Sequence, residues 1–125
     1  MDEDQLSNVI IGAAIEVHRA LGPGLLESAY EGCLARELAL RKVPFERQKG
    51  IPVIYKGEEI DCGFRLDLLV DQKVIVELKA VDRLAQIHRA QVITYLKLTG
   101  CKLALLLNFN VMTMKDGIKR VAHHL

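Results

Sequence analysis

The chain has 125 residues, half of them hydrophobic and 26% charged, with a formal net charge of +1. That length suits one domain over residues 1–125, burying about two-thirds of its unfolded surface. Near-neutral charge excludes a protein that coats nucleic acid by bulk electrostatics, though not one with a local basic groove, and no apolar run approaches the ~20 residues of a membrane span. The acidic start Met1-Asp2-Glu3-Asp4 is unlike the basic start of a secretory signal, so a cytoplasmic location is expected. Cys33, Cys62 and Cys101 are odd in number and form no Cys-x-x-Cys pattern. They support neither a disulfide framework nor a zinc site, and small buried hydrophobes are expected.

From Asp4 or Ser7 as N-cap, Leu6, Val9, Ile10, Ala13, Ala14, Val17 and Leu21 recur at helical spacing until Gly22-Pro23 stops the helix. A second helix is predicted from Leu25 to about Lys42, just after Gly24, with Leu26, Ala29, Tyr30, Cys33, Leu34 and Leu38 as its apolar stripe. Glu27 falls in its first turn, where the helix macrodipole favours a carboxylate by about 0.3 to 1 kcal/mol. The other account of Glu27 is that it leans over a neighbouring site as a further acid.

After Val43-Pro44 the pattern turns to strands: Phe45 to Gln48, then Ile51 to Tyr55, a turn at Lys56-Gly57-Glu58-Glu59, and a strand from Ile60 onward. Gly63 marks a bend or bulge on the way into the stretch Phe64 to Ala80. There, two apolar segments flank the turn-prone pair Asp71-Gln72, and Asp67, Glu77 and Lys79 are set into them. Charges in a strand with a buried face cost several kcal/mol unless paired or metal-bound. Alternation puts Glu77 and Lys79 on one face, with Leu78 on the other.

The loop decides where Asp67 goes. A two-residue loop would set Asp67 opposite Val76, whereas a three-residue loop, Asp71-Gln72-Lys73, or a bulge sets it opposite Glu77. The second register is predicted. Two carboxylates about 4 Å apart repel by roughly 1 to 4 kcal/mol, which a divalent cation between them reverses. Hard oxygen ligands favour Mg²⁺ or Mn²⁺ over zinc.

Helical spacing returns from about Asp82 to Thr99, ended by Gly100. His88, Gln91 and Tyr95 share one face of that helix, which suggests a face turned to a polar site rather than one merely solvated. Surface placement is the commoner fate of a lone helical histidine such as His88, and His123 and His124 are expected in solvent. Lys102 to Phe109 is a continuous apolar run suited to a strand buried on both faces. Val111 to Met114, Asp116-Gly117 and Ile118 to Val121 then read as an edge hairpin. A strand-helix-strand unit from Val74 to Phe109 implies a parallel pair, so the expected class is α/β or α+β, a mixed central sheet flanked by helices.

Asp67 followed by Glu77-Leu78-Lys79 resembles the signature of the PD-(D/E)XK nuclease superfamily, and Gln91-x-x-x-Tyr95 is similar to a helix motif of one exonuclease branch. Gly24-Leu25-Leu26-Glu27-Ser28-Ala29-Tyr30 resembles the motif of the GxxExxY proteins, small members of that superfamily. Leu66 stands where the superfamily name has proline. The resemblance covers nearly the whole chain and implies a restriction-endonuclease-like core with metal-assisted phosphodiester hydrolysis at the hairpin. By it, Asp67, Glu77, the Leu78 carbonyl and Glu27 would hold Mg²⁺ or Mn²⁺. Lys79 would orient the attacking water or steady developing charge, while Gln91 and Tyr95 position the scissile strand or the metal waters. The implied partner is nucleic acid, DNA before RNA, with no membrane involved. A homodimer is expected for a core without appended domains. The alternative is a nucleic-acid or protein-binding module on a nuclease core that is silent or needs a partner.

Overall fold

Reciprocal capping fixes the start of the first helix, α1 (Glu3–Leu21), in the computed structural model, which describes residues 1–61 and 63–124. The Gln5 amide donates to Asp2 Oδ1 at 2.8 Å, and the Asp2 amide to Gln5 Oε1 at 2.9 Å. These bonds satisfy amides that have no partner within the helix, so the cap lies ahead of both Asp4 and Ser7. Leu6, Ile10, Ala13, Ala14 and Val17 turn inward, and Gly22 closes the helix at φ +71°, a conformation that suits glycine.

The second helix, α2 (Glu27–Leu40), buries Tyr30, Glu31, Leu34, Ala35 and Leu38. Leu26 and Cys33, expected on the apolar stripe, are both exposed, so the buried-thiol reading of Cys33 is corrected; Cys101 is half-buried, and Cys62 lies outside the described residues. The inward face is rotated away from Cys33, and an acid occupies part of it.

Five strands form the main sheet: β1 (Phe45–Gly50), β4 (Arg65–Val70), β5 (Val74–Lys79), β6 (Leu103–Asn108) and β7 (Ile118–Ala122), in the order β1-β4-β5-β6-β7. Two short strands, β2 (Val53–Tyr55) and β3 (Glu58–Ile60), pair as a separate hairpin. Lys56 at φ +48° and Gly57 at φ +83° supply the two left-handed residues that a tight two-residue hairpin loop requires. The strand expected to run from Ile60 into the central hairpin is therefore interrupted, with Gly63 at φ +68° between β3 and β4.

Within the main sheet only β5 and β6 are parallel, joined across the sheet by α3 (Gln86–Thr99). That helix starts later than Asp82 and ends, as expected, on Gly100 in the left-handed conformation at φ +76°. All six residues of β6 are buried, as its continuous apolar run predicts. The C-terminal hairpin is not formed. A 3₁₀ turn over Met114–Gly117 leads directly into β7, which pairs antiparallel with β6. Gly117 makes this possible, because a Cβ there would overlap the Asn108 carbonyl oxygen.

Two apolar layers cover the sheet. Leu68, Val70, Val74, Val76, Leu78, Leu103, Leu105 and Leu107 pack with α1 and α2, while Leu66, Leu69, Ile75, Ala104 and Leu106 pack with Val92, Tyr95 and Leu96 of α3. Leu66 and Leu68 are two residues apart yet lie in opposite layers, so strict alternation fails in β4 at Asp67. Leu66, the departure from the superfamily's proline, is completely buried.

Candidate active site

The β4–β5 register pairs Leu68 with Val76, Leu69 with Ile75 and Val70 with Val74, leaving Asp71-Gln72-Lys73 as a three-residue loop. Asp71 at φ +50° and Gln72 at φ +59° take the backbone strain of that loop. Continued one step, the register brings Asp67 opposite Glu77, as predicted. Regular pairing stops there, because the two carboxylates take over the amides that the ladder would use. The Asp67 amide donates to Glu77 Oε1 at 3.0 Å, and the Leu78 amide donates to Asp67 Oδ2 at 2.9 Å. Each acid is thus anchored on the neighbouring strand, and the strands part around the pair.

Glu77 is only 4% exposed. Burial first, and then the Asp67 carboxylate, push its acid up to about 8, with Lys79 pulling in the opposite direction. Burial in a medium of low dielectric penalises the charged form, and a second carboxylate adds to that penalty. Such an acid is mostly protonated at neutral pH.

Lys79 follows on the same face and lines an open cleft of about 520 Å³ together with Phe64, Ile87, His88, Ala90, Gln91, Thr94 and Tyr95. The Tyr95 ring is buried and meets Phe64 edge-on at 4.5 Å. Its hydroxyl is pushed up to about 12 by burial and then by the carboxylates of Glu77 and Asp67, while a hydrogen bond with Gln91 acts the other way. Gln91 and Tyr95, spaced four apart on α3, therefore belong to one surface with Lys79 and within electrostatic reach of the acid pair. His88 lines the cleft as well, but its Nδ1 accepts the Ala85 amide at 3.0 Å, so the ring caps α3.

Glu27 stands exposed in the first turn of α2. Among the described residues no three His, Cys, Asp or Glu side chains are gathered closely enough for a metal ion. One turn further along, Glu31 is 8% exposed. It accepts Arg47 Nε at 3.2 Å and Nη2 at 3.0 Å on Oε2, and Gln48 Nε2 at 2.7 Å on Oε1. Gln48 Nε2 also lies 3.4 Å from Asp67 Oδ1.

Neither Glu31 nor Gln48 was singled out from the sequence. Glu31 had a signal in principle, since it sits three residues before inward Leu34 and beside Tyr30. Gln48 had none, because its position depends on an unusual φ of +51° opposite Asp67. Asn108, at the end of the buried strand, accepts the Val81 and Asn110 amides and donates to the Val81 carbonyl, tying the segment after β5 to the end of β6. Tyr30, which closes the Gly24-to-Tyr30 motif, has a local role. Tyr30 donates to the Gly22 carbonyl at 2.6 Å and accepts the Leu25 amide at 3.1 Å, clamping the loop between α1 and α2.

A mixed sheet with helices on both faces and a facing acid pair followed by a lysine, on adjacent strands of one hairpin, defines a restriction-endonuclease-like domain. The family model of the PD-(D/E)XK nuclease superfamily matches residues 4–121, and the chain belongs to that superfamily. No curated protein and no solved structure matches it. Among the described residues no helix is long and apolar enough to cross a membrane.

Proposed function

We propose that the protein is a divalent-metal-dependent nuclease hydrolysing phosphodiester bonds in DNA, with RNA the less favoured substrate. The observation that carries this reading is the mutual anchoring of Asp67 and Glu77, which holds two oxygen-donor side chains together at the cost of a strongly perturbed acid. Perturbed pairs of this kind cluster at functional sites. The donor set is all oxygen and fits Mg²⁺ or Mn²⁺ better than zinc, so the residues present suit the metal. Asp67, Glu77 and the Leu78 carbonyl would hold it. When bound, it would lower the pKa of a water and offset charge on phosphoryl oxygens.

The chain's own groups supply the rest. Lys79, on the Glu77 face and at the cleft wall, orients the attacking water or steadies charge that develops on the phosphate. Gln91 and Tyr95 line the same cleft and position the scissile strand or the metal waters, with the neutral Tyr95 hydroxyl as a hydrogen-bond donor. Glu27, in the first turn of α2, would complete the metal shell directly or through water. Within the superfamily, the run Gly24, Glu27, Tyr30 favours the GxxExxY group, and the clamp gives Tyr30 a structural reason.

Incubation with labelled single- and double-stranded DNA and with RNA, in Mg²⁺ or Mn²⁺, tests the reading beside Lys79→Ala. Cleavage that disappears in the variant is expected. Binding without cleavage in every metal would favour instead a binding module built on a nuclease core.

A further inference from the structure

We infer that Glu31 and Gln48 are positioning residues for Asp67, a role resting on the reading of Asp67 as a metal-holding acid. Asp67 has two carboxylate oxygens, and β5 fixes only one of them, through the Leu78 amide on Oδ2 at 2.9 Å. With that single bond the carboxyl group can still turn about it. Oδ1 is reached from β1, the neighbour of β4 on the side away from β5, by the Gln48 side-chain amide at 3.4 Å.

Gln48 is an exposed residue with a long side chain, which by itself would hold nothing. Its amide is held because Glu31 Oε1 accepts from the same nitrogen at 2.7 Å. Glu31 is held in turn because Arg47 occupies its Oε2 with two donors, and because the α2 face carrying it is buried. The chain of contacts runs from Arg47 to Glu31 to Gln48 to Asp67, linking the α2 layer to the acid pair. A side-chain amide has two hydrogens, one for each carboxylate, so both bonds form at once.

The backbone supports the same role. Gln48 adopts φ +51° while the β1–β4 register is unbroken on either side, with Arg47 opposite Leu68 and Lys49 opposite Leu66. A non-glycine residue in that conformation is uncommon and strained. Here the unusual backbone accompanies a side chain that spans Glu31 and Asp67. Where ligands are oriented by an outer layer of hydrogen bonds, losing one such bond typically weakens metal binding 10- to 100-fold.

The test uses Gln48→Met, which keeps length and removes both hydrogens while leaving the Arg47–Glu31 pair intact, and Glu31→Gln, which keeps an acceptor for Gln48. Two readouts are needed. The first is the Leu78 amide proton resonance without metal, a direct report on the Asp67 carboxylate, and the second is Mn²⁺ affinity by calorimetry. Release of Asp67 in Gln48→Met should move the Leu78 resonance toward that of Asp67→Ala and weaken Mn²⁺ binding about 10-fold, with Glu31→Gln between it and wild type. An unmoved Leu78 resonance in Gln48→Met would overturn the positioning role. Failure of wild type to bind Mn²⁺ would instead sink the metal reading, while the resonance would still decide how Asp67 is held.

Discussion

Glu77 is where structure and chemistry conflict most sharply. Its acid is raised from 4.5 to about 8 by burial and by Asp67. Folding therefore favours the protonated form. The stability that Glu77 contributes is fully present below pH 4.5 and is lost as pH rises through 8. Glutamine cannot ionise, and its Oε1 can still accept the Asp67 amide. Glu77→Gln should consequently melt higher than wild type without metal, by little at pH 5 and by on the order of 10 °C at pH 8.5. Thermal unfolding at the two pH values checks this, and an equal difference at both would remove Glu77 as the titrating group. The acid pair could be read from the sequence because loop length fixes which residues face each other across a hairpin. Glu31 could not be found so easily, since a helix with several small residues presents no sharp boundary between its inward and outward faces.

At the level of elements, the central hairpin, the α3 crossover and the buried β6 strand were all legible. Each has one dominant signal: a turn flanked by apolar runs, a 3.6-residue repeat ending on Gly100, and an unbroken apolar run. The C-terminal segment misled for the opposite reason. Asp116-Gly117 reads as a hairpin turn, but Gly117 is needed for close approach rather than for a turn, since the 3₁₀ segment lies against the end of β6. Gly117→Ala should therefore destabilise by about 3 kcal/mol, because the obstruction is a backbone carbonyl that cannot swing aside. Urea unfolding at neutral pH measures it. A loss under about 1 kcal/mol would show that the 3₁₀ segment shifts to make room.

For the molecule as a whole, a ligand that binds only the folded state stabilises it in proportion to how far its concentration exceeds the dissociation constant. Millimolar Mg²⁺ should raise the melting temperature of wild type and do so less in Glu77→Gln. Equal shifts in the two proteins would count against a shared site. The forked end of β4 and β5 bears on how such experiments are designed. There the two acids serve as acceptors for main-chain amides as well as the proposed ligands of an ion, so alanine at either position strands a part-buried N–H along with removing a proposed ligand. Asparagine and glutamine separate the two losses. By the same logic, a descendant of this chain without the proposed hydrolysis would still be constrained to oxygen-bearing side chains at 67 and 77, and its decay would pass through amides before it reached hydrocarbons.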